Sequence, residues 1–74
     1  MKIDFPVDLA CITPDKGQTV LELSTEIAEA KKDGRITGEV FLNLPGGKVK
    51  RIKGNTTEEI RDSICSQYAG PWVF

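Results

Sequence analysis

Two short patterns constrain this chain more than anything else in it. Thr19-Val20-Leu21-Glu22 and Thr56-Thr57-Glu58-Glu59 both read T-x-x-E, in which a threonine and a glutamate three residues on can satisfy exposed amides at a helix start. Each opens a stretch with apolar residues at helical spacing. After Thr19, the residues Val20, Leu23, Ile27 and Ala30 form one stripe, with Leu21 and Ala28 on its flank. Glu22, Glu26, Glu29 and Asp33 fall roughly opposite. Lys31 and Lys32 suit the negative end of the helix dipole, and Gly34 suits the position just beyond it. After Thr56, the residues Ile60, Ile64 and Tyr68 line one face, and Gly70-Pro71 stops the helix.

The remaining segments alternate with period two, the mark of strands. In residues 2–13, Ile3, Phe5, Val7, Leu9 and Cys11 fall on one side, and Cys11 is expected in the core. Pro6 weakens this strand, because proline cannot donate to a ladder. Thr13-Pro14-Asp15-Lys16-Gly17 is turn chemistry. From Ile36 to Leu44, Val40, Leu42 and Leu44 face one way and Glu39, Phe41 and Asn43 the other. Pro45-Gly46-Gly47 turns the chain into a returning strand, Lys48 to Lys53. A two-residue loop at Gly46-Gly47 would set Leu44 against Val49 and Phe41 against Ile52, joining apolar residues across the hairpin.

The resulting order is β-α-β-β-α. Helices with one apolar stripe and strands with one apolar face predict an α+β, two-layer sandwich, its three-stranded sheet carrying both helices on one face. Seventy-four residues make one domain, residues 1–74, too small for an enclosed cofactor cavity.

Composition removes several classes of function. There is no histidine, so the commonest general base and metal ligand is missing. Cys11 and Cys65 lack zinc-site spacing. Pro45-Gly46-Gly47-Lys48 joins two strands, whereas a phosphate loop runs from a strand into a helix. No enzyme activity, cofactor or metal is expected. Nor is a membrane association expected, since no segment approaches the roughly 20 apolar residues of a span. Two cysteines are too few for a disulfide scaffold, which points to a cytoplasmic protein with reduced thiols.

Three features are candidate contact surfaces. Trp72-Val73-Phe74 is wholly apolar, and would either close the core or dock a partner. Glu22, Glu26 and Glu29 form an acidic helix face that would suit a basic partner or the basic strand of a second copy. Lys48, Lys50, Arg51 and Lys53 place four cations within six residues. They would either guard an edge strand, meet an acidic protein, or contact phosphates of RNA or DNA. The near balance of ten basic and eleven acidic residues counts against nucleic acid, whose binding proteins are usually basic. The leading expectation is therefore a small non-enzymatic interaction or regulatory module that binds a protein partner or forms a homodimer. Nucleic-acid binding through strand 48–53 is the alternative.

Overall fold

A computed structural model describes residues 5–44, 46–68 and 73–74. The chain runs β1 (Val7–Ile12), α1 (Val20–Lys32), β2 (Ile36–Leu44), β3 (Lys48–Ile52) and α2 (Thr57–Gln67). Both helices begin where their T-x-x-E patterns place them. The Glu22 amide donates to Thr19 Oγ1 at 3.1 Å, and the Glu59 amide to Thr56 Oγ1 at 3.2 Å. At Thr56 the hydroxyl in turn donates to the Glu59 carboxylate at 3.3 Å. At the far end of α1, Gly34 takes a φ of 78°. The Arg35 amide bonds the Ala30 carbonyl at 2.9 Å and the Gly34 amide the Lys31 carbonyl at 3.2 Å. Two helix carbonyls left without intrahelical partners are thereby satisfied, in the Schellman arrangement.

The sheet has strand order β1-β2-β3, with β1 parallel and β3 antiparallel to β2. A parallel pair cannot be closed by a tight turn, and α1 supplies the crossover. Ala10 and Ile12 from β1, Val40, Leu42 and Leu44 from β2, and Ile52 from β3 are buried in one cluster with Val20, Leu23, Ile27 and Ala30 of α1 and Ile60 and Ile64 of α2. The architecture is thus an α+β two-layer sandwich with its core on one side of the sheet.

Two expectations are corrected. Leu9 and Cys11 do not enter the core; Ala10 and Ile12 do. Alternation defines two faces without saying which is buried, and both parities of β1 are apolar. The register also shifts near the strand's start: Val7 pairs with Ile36 but Leu9 with Glu39, so Asp8 spans two residues of β2. Phe5, too, is exposed, and Ile3 lies outside the described residues. The hairpin is likewise one residue removed from the expected register. Leu44 pairs with Lys48, Asn43 with Val49 and Phe41 with Arg51. A two-residue loop would have required Pro45 in the ladder, and proline has no amide hydrogen to give. Gly46 and Gly47 both adopt positive φ in the connection.

Gly38 sits where β2 bows past Asp8. A Cβ there would fall on the Asp8 carbonyl oxygen, far inside contact distance. Its φ lies outside the left-handed region, so close approach and not backbone conformation requires the glycine. Gly38→Ala should therefore cost about 2–3 kcal/mol, the upper part of the range for overfilling a packed site. Gly46→Ala, with open space around its Cβ but an unfavourable φ, should cost nearer 1 kcal/mol. Urea titration of the two variants checks the order; equal losses would mean that the Asp8–Gly38 approach does not constrain the sheet.

Candidate interaction surface

With both helices on one side, the opposite face of the sheet carries no described element. Register fixes what it displays. Leu9 stands beside Glu39; Cys11, Phe41 and Arg51 form the next row; Asn43 and Val49 form the third. Leu9 is 55% and Val49 57% exposed, Cys11 is exposed and Phe41 half-buried. Large apolar side chains scattered singly over a surface are ordinary, but a group on one flat face is not. Arg51 Nη2 meets Glu39 Oε1 at 3.0 Å across the strands. Both groups are about half exposed, so the pair contributes at most about 1 kcal/mol to stability. Its more telling effect is that the acid and the base in the middle of the face offset each other. Sequence reasoning missed this surface because it assigned Leu9 and Cys11 to the core and paired Phe41 with Ile52.

The apolar tail folds back. Val73 forms an antiparallel bridge with Thr19, the Phe74 amide donates to the Gln18 carbonyl at 3.0 Å, and the Gly17 amide donates to the Phe74 main-chain oxygen at 2.8 Å. The Phe74 ring stacks on Tyr68 at 5.2 Å and packs against the core, while Val73 stays 44% exposed. Trp72 lies outside the described residues, as do Gly70 and Pro71.

The acidic face of α1 is partly engaged within the chain. Gln18, which is buried, donates through Nε2 to Glu26 Oε2 at 3.0 Å and accepts the Asp15 amide on Oε1 at 3.1 Å. Glu22 and Glu29 remain exposed. Glu29 borders an open cleft of about 580 Å³ between α1 and the start of α2, shared with Lys31, Lys32, Asn55 and Thr56. Lys31 Nζ is turned to the Gly54 carbonyl at 2.6 Å.

The four cations of the basic segment do not share one face. Lys48 and Lys50 alternate with Val49 and Arg51 along β3, so the two lysines lie on the helix side of this edge strand and Arg51 on the open face. Lys53 follows the strand and is exposed; its amide donates to Ser63 Oγ at 3.1 Å. Among the described residues no group of three or more His, Cys, Asp or Glu is placed to hold a metal ion, and no described helix is long and apolar enough to cross a membrane.

The two cysteines are free and differently placed. Burial raises the Cys65 thiol above its ordinary pKa; Arg61 opposes this and Asp62 adds to it. Thiolate is the reactive form and access to it matters, so near neutral pH an alkylating reagent should modify the exposed Cys11 faster than the half-buried Cys65. Cys11→Ser should abolish the fast phase and Cys65→Ser should spare it. Equal rates at the two thiols would contradict the placement of Cys11 on the open face. Comparison with protein-family models, with curated proteins and with solved structures finds no match to this chain.

Proposed function

We propose that this protein is a small non-enzymatic interaction module that docks a protein partner through the open face of its sheet. The observation that carries the reading is that Leu9, Cys11, Phe41 and Val49 share that one face. Leaving such residues in water forgoes about 25 cal/mol for each Å² of apolar surface, which a partner would recover. The Glu39–Arg51 pair suits the role, since charges neutralised within the chain oppose an apolar partner less than isolated ones. The tail is the weaker candidate, because Phe74 is already engaged by Tyr68 and Gln18. Against the nucleic-acid reading stand the division of the basic cations between two faces and the pairing of Arg51 with Glu39. Free thiols fit a reducing, cytoplasmic setting.

Photo-crosslinking in cells tests the reading. A photoreactive residue at Leu9 or Val49 should give discrete protein adducts, whereas one at Glu29, on the helix side, should not. Absence of adducts from both sheet positions, with the protein present and folded, would refute docking through this face.

A further inference from the structure

We infer that the partner presents an extended acidic segment, which joins the sheet as a further strand along the free edge of β3; the inference rests on the reading of this chain as a protein-docking module. β3 is an outer strand. It pairs with β2 over all five of its residues without a shift in register. In an antiparallel pair every second residue turns its amide and carbonyl away from its neighbour. Along β3 those groups face outward, and among the described residues no strand takes them. Such an edge is a template for another chain. Its usable length ends at Ile52, because the next amide, that of Lys53, already donates to Ser63 Oγ at 3.1 Å. The opposite edge, β1, is less regular, since its ladder shifts between Val7 and Leu9.

The side chains of β3 select the kind of strand that fits. Lys48 and Lys50 stand on the helix side, with Val49 between them on the open face. Lys48 and Val49 are exposed and Lys50 is half-buried. Among the described residues neither lysine is held in an ion pair, whereas Arg51 is taken by Glu39. A strand laid beside β3 alternates its side chains in the same way. With acids at alternate positions it sets one beside each lysine. Its intervening apolar residue then lies beside Val49 and widens the apolar part of the open face. The division of the cations between two faces, which serves a phosphate backbone poorly, thus suits an alternating strand. A second copy of β3 is disfavoured here, because it brings lysines beside lysines and like charges across strands repel. The same lysines that guard the edge against its own kind leave it open to acid. In strand addition main-chain hydrogen bonds supply the affinity and side chains the selection. Exposed ion pairs are individually weak, so a short segment on its own binds weakly.

Calorimetric titration of the full chain with a capped peptide alternating glutamate and valine, up to about 1 mM, is the test. The peptide should bind, and more weakly as salt is raised. A peptide of the same composition with its glutamates grouped at one end should bind at least roughly tenfold more weakly. Methylating every second amide of the alternating peptide should abolish binding for one set and spare it for the other, since one set alone faces the edge. The double variant Lys48→Glu, Lys50→Glu, checked for folding by circular dichroism, should lose the acidic peptide and take one alternating lysine and valine. No binding of the acidic peptide would overturn the inference. So would equal binding of the grouped peptide, indifference to both sets of methyl groups, or a double variant that binds as the wild type does. If the peptide fails while Leu9, on the far strand, gives adducts in cells, the docking face stands with a partner of another shape. If the peptide binds while Leu9 gives none, the edge is the docking site and the face is not.

Discussion

Parallel pairing of β1 with β2 governs the rest of this structure. Two parallel neighbours start at the same end of the sheet, so the chain must travel its full length between them, and a helix is the compact way to do so. That helix has an apolar stripe to bury and lies on one side of the sheet. The β2–β3 hairpin returns the chain to where α2 can join it there. Ile60 and Ile64 then complete the cluster begun by Leu23 and Ile27. Having spent both helices on one side, the chain has no described element left for the other. The bare face is a consequence of topology, and its composition departs from the polar surface that topology alone would lead one to expect.

Polar groups hold the ends of this arrangement. Gln18 is buried, and its side chain ties the Pro14–Gly17 turn to α1 through Asp15 and Glu26. Its main-chain carbonyl takes the Phe74 amide. A single residue ahead of the helix thus joins the turn, the helix and the tail. Buried polar groups cost little when satisfied in this way and a great deal when not.

The helices were legible in the sequence because their signals are local. A threonine, a glutamate three residues on and a stripe at 3.6-residue spacing all act within one or two turns, and Thr19, Thr56 and Gly34 behave accordingly. The strands were legible as strands, and β2 lies from Ile36 to Leu44 as alternation indicates. Which face of β1 is buried was not legible, since Leu9 and Cys11 are as apolar as Ala10 and Ile12. That choice is made by pairing with β2, thirty residues away, and by the bow at Gly38. The hairpin register was misjudged by weighing apolar matches above the missing amide of Pro45. Both errors hid the same thing, the open face, because each transferred its residues to the core. The acidic and basic runs were legible as charge, but not the contacts that engage Glu26 and Arg51 inside the chain.

The bridge between Thr19 and Val73 has a kinetic meaning. The other element contacts join neighbours in the chain's order, β1 to β2 across α1, or the two helices, whereas this one closes a loop over most of the sequence. Loop-closure entropy makes such a contact costly to form before its flanks are in place. Loop-closure entropy alone would have the Thr19–Val73 bridge form after the sandwich and open before it. Opening it releases the amides of Gly17 and Phe74 and unstacks Tyr68 while the Leu23–Ile60 core stays shut. On this argument the amides of Gly17 and Phe74 should exchange with solvent faster than those of the Leu23–Ile60 core.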